Sequence, residues 1–88
     1  MNTTVGQVLA ARFPTLKITE DIHSDTKYWV NVYLNNCSLV IENIGERGFG
    51  ISVVADGNLD FGGHDEIVKD FNNAIQAVTT RITDLTTT

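Results

Sequence analysis

Cysteine, proline and positive charge are all scarce in this sequence: it has one cysteine, one proline, and six lysine and arginine residues among 88. Small secreted domains usually contain several paired cysteines, so the lone Cys37 favours a reducing, cytoplasmic location. The six basic residues are scattered and are outnumbered by eleven acidic ones, which gives a net charge of −5. This balance argues against nucleic acid or an anionic membrane surface as the main ligand, because both attract clustered positive charge.

Long apolar runs are also missing. No stretch approaches the roughly 20 residues that a membrane-spanning helix needs. Residues 1–15 lack the basic start and apolar core of a signal peptide. The hydrophobic fraction of 42% is ordinary for a folded chain. We therefore expect one soluble domain over residues 1–88, with residues 86–88 as a frayed tail.

The two ends of the chain have helical patterns. Thr4 and Gln7 have the spacing of a capping box, and Pro14 ends the apolar pattern of residues 4–13. A longer helix is predicted to begin at Asp65 and Glu66, whose carboxylates suit a helix start. Its apolar positions recur at three- and four-residue steps: Ile67, Phe71, Ala74, Ile75, Val78, Ile82 and Leu85.

Strand patterns fill the middle of the chain. Residues 16–22 alternate as an edge strand would, interrupted by Glu20, and further strands are predicted at residues 28–34, 38–44 and 49–55. The short connections between them indicate an antiparallel meander. The predicted fold is an α+β two-layer sandwich in which both helices cover one face of a three- or four-stranded sheet, in the order α-β-β-β-β-α.

Strand alternation separates two faces of this sheet. One face is predicted to meet the helices and carries Val30, Val32, Leu34, Ile41, Phe49, Ile51 and Val53. The other carries Trp29, Asn31, Tyr33, Val40, Glu42, Ser52 and Val54. Two large aromatic residues on the second face favour a partner surface or a homodimer interface. A register error of one residue would instead send both rings into the core.

The segment from Asp56 to Glu66 partly resembles a calcium loop, because oxygen-bearing side chains begin it at alternate positions. Gly62 comes one position late for the sharp turn, and Ile67 stands where the pattern needs glutamate. A strand-to-helix turn is the simpler interpretation of these residues.

Other candidate sites have weaker patterns. The glycines between Gly45 and Gly50 fit no phosphate-binding motif, and a tight hairpin turn explains them. His23, His64 and Cys37 lack the spacing of a zinc site. Nothing near Cys37 supplies an orienting group for catalysis. We therefore predict no cofactor and no catalytic residues.

Three segments have a family resemblance: Gly48-Phe49-Gly50-Ile51-Ser52, then Phe61-Gly62-Gly63-His64-Asp65-Glu66-Ile67, then Ala74-Ile75 with Val78. Together they resemble small accessory proteins that accompany maturases of ribosomally made peptides, including partners of radical-SAM enzymes. The resemblance implies a non-catalytic subunit that binds the maturase, its precursor peptide, or both.

The sequence is compatible with three functions. The first is an accessory or adaptor module that binds a protein or peptide through Trp29 and Tyr33, with Phe49 and Phe61 as secondary contacts. The second is a small acidic inhibitor or immunity-type protein that blocks a basic site with Asp56, Asp60, Asp65 and Glu66. The third is a metal-binding or small enzymatic domain centred on the segment from Asp56 to Glu66.

Overall fold

A computed structural model describes residues 3–24, 26–35, 37–55 and 66–86. Helix α1 spans Val5–Arg12 and helix α2 spans Phe71–Thr86. The strands are β1 (Lys17–Ser24), β2 (Lys27–Tyr33), β3 (Cys37–Ile44), β4 (Phe49–Ala55) and β5 (Glu66–Val68), with a 3₁₀ turn at Gly45–Arg47 between β3 and β4.

The five strands form one antiparallel sheet in chain order, β1-β2-β3-β4-β5. The meander and the α+β class predicted from the sequence are confirmed, with one more strand than expected. Val30 of β2, Ile41 of β3 and Ile51 of β4 lie opposite one another in the register. All three are fully buried. This row fixes which face of each central strand belongs to the core.

Both helices pack on the face that carries this row. Val5 and Leu9 of α1 are fully buried, and α2 buries Ala74, Ile75, Val78 and Ile82. Burying a large aliphatic side chain contributes about 1.5–3 kcal/mol relative to exposing it. The apolar stripe of α2 therefore supplies much of the free energy that holds the helical layer on the sheet.

The predicted start of α2 is wrong by several residues. Glu66 and Ile67 lie in β5, where Ile67 is paired with Gly50, and Asp65 falls outside the described residues. The helix begins at Phe71, after Asp70, whose Oδ1 accepts a hydrogen bond from the Asn73 N–H at 2.8 Å. Asp70 thus caps the helix.

The carboxyl end of α2 also differs from expectation. Thr86, which the sequence places in a frayed tail, is still helical. Its hydroxyl donates to the Ile82 carbonyl oxygen at 2.7 Å, which ties the last turn to the turn before it.

The interruption of the β1 pattern by Glu20 has a structural reason. The Glu20 carboxylate accepts a hydrogen bond from the Thr4 hydroxyl at the start of α1. Thr4 also forms the predicted capping box with Gln7, and the Tyr28 hydroxyl oxygen accepts from the Val5 N–H at 3.2 Å. The first turn of α1 is therefore bonded to both β1 and β2, and Glu20 faces α1 for that reason.

Gly48 and Gly45 provide a matched test of the turn between β3 and β4. Both have positive φ, 106° and 71°. A Cβ at Gly48 would lie 2.1 Å from the Val68 carbonyl oxygen, whereas nothing lies within 4 Å of a Cβ at Gly45. We expect Gly45→Ala to cost about 1–2 kcal/mol of unfolding free energy from its φ alone. Gly48→Ala should cost at least about 3 kcal/mol, because it adds a backbone clash with β5.

Urea unfolding of both variants measures this difference. Equal losses for the two alanine variants would show that β5 does not lie against Gly48 in solution.

Candidate binding surface

The side of the sheet that points away from both helices is called here the outer sheet face. By register it carries Lys17, Thr19 and Asp21 of β1, Lys27, Trp29, Asn31 and Tyr33 of β2, Ser38, Val40, Glu42 and Ile44 of β3, Gly50, Ser52 and Val54 of β4, and Ile67 of β5. Every residue that the sequence assigned to the second face lies on it. The predicted division of β2, β3 and β4 into two faces is correct.

The two aromatic residues lie on one strand and flank Asn31. Trp29 is opposite Asp21 and Glu42, whereas Tyr33 is opposite Lys17 and Ser38. Four residue steps along the extended strand put the two positions about 13 Å apart on β2. A bound segment could therefore contact both anchors within a short length.

Each ring has a neighbour that orients it. The Trp29 indole meets the His23 imidazole edge-to-face, with ring centroids 5.4 Å apart and planes 79° apart. The Lys17 ammonium nitrogen lies 5.4 Å from the centroid of the Tyr33 ring, within the range of a cation–π contact. Rings held in one orientation lose less entropy when a partner binds.

Accessibility varies across the outer sheet face. Tyr33 is 42% exposed, Ile67 is 48% exposed, and Trp29 is half-buried. Ser52 is only 2% exposed and Gly50 is also buried. The reachable part of this face therefore lies along β1 and β2, and again at Ile67, rather than in the middle of β4.

Sequence reasoning missed several members of this surface. Lys17 and Asp21 belong to it because Ile18 and Glu20 between them point to the helical side. The alternation of β1 contained this signal, but the polar Glu20 obscured it. Ile67 was missed because it was assigned to the apolar stripe of α2.

Phe49 lies on the other side of the sheet from Trp29 and Tyr33. It begins β4, is 8% exposed, and packs edge-to-face on Phe71 with ring centroids 6.1 Å apart. Its ring packs in the core between the sheet and α2, and Phe49 does not lie in a loop beside the outer sheet face. Phe61 falls outside the described residues.

The acidic segment proposed for ion or basic-site binding lies almost wholly outside the described residues, including Asp56, Asp60 and Asp65. Its last member, Glu66, accepts hydrogen bonds from Arg81, with the Nη2 nitrogen 3.2 Å and the Nε nitrogen 3.4 Å from its Oε1 oxygen. This ion pair joins β5 to α2. Of the four carboxylates in the acidic segment, Glu66 is the one within the described residues, and it is already paired. Within the described ranges, no three His, Cys, Asp or Glu side chains form a cluster able to hold a metal ion.

Cys37 and His23 lie at opposite ends of the sheet. Cys37 is half-buried and borders a cavity of about 350 Å³ at the end of the sheet. Tyr33, Leu34 and Leu85 line the same cavity. His23 lies beside Trp29 and Asp21, its imidazole Nε2 being 3.9 Å from the Asp21 carboxylate, and His64 falls outside the described residues.

No protein-family model, curated protein or solved structure matches this chain. Within the described residues, neither helix has the length and apolar character needed to cross a membrane.

Two tyrosines of β2 test the assignment of the faces. Tyr28 is 2% exposed and faces the helices, whereas Tyr33 is 42% exposed on the outer sheet face. Tyr28→Ala should cost about 4 kcal/mol of unfolding free energy, because it opens a cavity and removes the acceptor for the Val5 N–H. Tyr33→Ala should cost no more than about 1 kcal/mol.

Chemical unfolding followed by circular dichroism measures both values. A larger loss for Tyr33→Ala than for Tyr28→Ala would contradict the register of β2.

Proposed function

We propose that this protein is a non-catalytic accessory or adaptor protein that binds a protein or peptide through its outer sheet face, with Trp29 and Tyr33 as the anchors. The observation that carries the proposal is the placement of both rings on the face of β2 away from the two helices, each beside an orienting neighbour. Trp and Tyr are the residue types most enriched among residues that dominate binding energy.

The composition of the surface supports the same proposal. Between the two anchors lie Asn31 and Val40, which are uncharged and directly opposite each other. Lys17, Lys27, Asp21 and Glu42 lie around them. An aromatic and neutral centre with charges at its margin is the usual arrangement of a protein–protein interface.

The sequence resemblance extends the proposal to a specific role. A small subunit that assists a peptide-modifying enzyme needs a surface for the enzyme or its peptide substrate and needs no catalytic group of its own. The outer sheet face, with Trp29 and Tyr33, supports this role because it combines two aromatic anchors with polar neighbours. Its partner would then be a maturation enzyme, its precursor peptide, or both.

The central prediction concerns Trp29→Ala. We expect this change to weaken partner binding about 30-fold or more, equivalent to about 2 kcal/mol, because it removes the larger anchor. The tagged protein would first be used to capture partners from its native host. The dissociation constant of each recovered partner would then be measured with the wild type, Trp29→Ala and Tyr33→Ala.

Gln76→Ala provides the control, because Gln76 is exposed on α2 in the opposite layer. It should bind as the wild type does. Equal binding by Trp29→Ala, with its fold retained, would refute the anchoring role of this residue.

Ionic strength distinguishes the acidic-inhibitor alternative. Binding through aromatic anchors should change little between low and physiological salt, whereas binding through a carboxylate cluster should weaken steeply. Titration of the partner at several salt concentrations measures this. A steep decline together with unchanged binding by Trp29→Ala would favour the acidic inhibitor over the accessory protein.

A further inference from the structure

β1 forms the longer edge of the sheet. It has eight residues and pairs only with β2 among the described strands, while β5 at the other edge has three residues. The outer side of an edge strand presents backbone N–H and C=O groups that another strand can pair with. The side chains of β1 determine which sequence a second strand needs in order to pair with it.

The charged side chains of β1 complement one another when the strand is paired antiparallel with a second copy about Thr19. In that register, Lys17 of each copy lies opposite Asp21 of the other, which gives two opposite-charge pairs on the outer sheet face. On the helical face, Ile18 lies opposite Glu20, and Leu16, which directly precedes β1, comes opposite Ile22, each pair occurring twice. Opposite charges and apolar residues in directly opposed positions each stabilise an antiparallel pair.

We propose that the protein forms a symmetric homodimer in which the β1 strands of two copies pair antiparallel about Thr19 and join two five-stranded sheets into one of ten strands. This interface goes beyond the proposed partner surface and does not depend on it. Because the two-fold axis is perpendicular to the sheet, both outer sheet faces lie on the same side. Trp29 and Tyr33 of both copies then belong to one continuous face.

Charge selects this register over its neighbours. Moving the centre to Glu20 or to Asp21 places two identical carboxylates opposite each other. Moving the centre to Ile18 sets Lys17 opposite Thr19 and leaves the charges without partners. Like charges in directly opposed positions are destabilising. Among these registers, only the one centred on Thr19 pairs Lys17 with Asp21.

The exposure of Ile22 agrees with this register. Ile22 lies on the side of β1 that faces the helices, as Ile18 and Glu20 do, yet it is 53% exposed. Pairing with Leu16 of a second copy would cover it. The irregularity in the β1–β2 register falls between Ile22 and Ser24, just beyond the last residue that the interface requires. The regular part of β1 is therefore the part that pairs.

Helix α1 packs on both β1 and β2, so a second copy paired with β1 would bring its own α1 alongside. Gly6 lies against the Glu20 side chain, which identifies the side of α1 that faces β1. Ala10 comes one turn later on that side and is exposed. A small side chain at this exposed position lowers the steric cost of bringing a second α1 close.

A charge exchange tests the proposal. The wild type should sediment as a dimer, and Lys17→Glu or Asp21→Lys alone should weaken dimerisation about ten-fold or more, because each creates two like-charge pairs. The double variant Lys17→Glu/Asp21→Lys should restore it. Within one copy these residues are about 13 Å apart along the strand. That exceeds the screening length of about 8 Å at physiological salt, so rescue reports contact between copies.

Cross-linking tests the register directly. In a Cys37→Ser background, Thr19→Cys should form an intermolecular disulfide rapidly under mild oxidation, because the two residues are opposed at the two-fold axis. Ser24→Cys should not, since its two copies would lie about 30 Å apart. Thermal unfolding of every variant shows whether its fold is retained.

The outcomes separate this interface from the outer sheet face. A wild type that stays monomeric up to millimolar concentration would overturn the proposal. So would a dimer that resists both charge reversals but is lost in Trp29→Ala, which would place self-association on the outer sheet face. A wild type that stays monomeric and still binds a partner would overturn the homodimer and leave the proposed function standing by itself.

Discussion

A row of three fully buried side chains, Val30, Ile41 and Ile51, is the constraint on which the rest of this structure depends. The residues face one another across the central strands, so shifting any one strand by a single position would expose an aliphatic side chain and bury a polar one. With this row in the core, the helices must lie on the same side. The other side, with Trp29 and Tyr33, then points away from the helical layer.

A polar residue of β1, Glu20, helps to hold helix α1 against the sheet. Glu20 departs from the apolar alternation of β1, yet its carboxylate receives the Thr4 hydroxyl, and Gly6 leaves space for it. A helix of eight residues is too short to be stable alone. Its stability here comes from Val5 and Leu9 in the core and from hydrogen bonds at its first turn.

Much of this arrangement could be predicted from local pattern. The capping box at Thr4, the three central strands and the division of their faces all follow from spacing within about ten residues. The strand at Glu66–Val68 could not, because it has only three residues and Ile67 is four positions before Phe71, as in a helix. Asp70, a residue type that favours the N-cap position, was the local signal for the true start of α2, where its side chain accepts from the Asn73 N–H. The contact of Glu20 with Thr4 spans sixteen positions, and no local rule predicts it.

The most direct test of the account is the accessibility of Trp29, the single tryptophan of the chain. Its fluorescence in the folded protein should be quenched by acrylamide at a rate between those of a free indole and a fully buried one, because the ring is half-buried on the outer sheet face. Quenching as slow as in a sealed core would contradict this placement. It would mean that the ring is not available as an anchor for a partner.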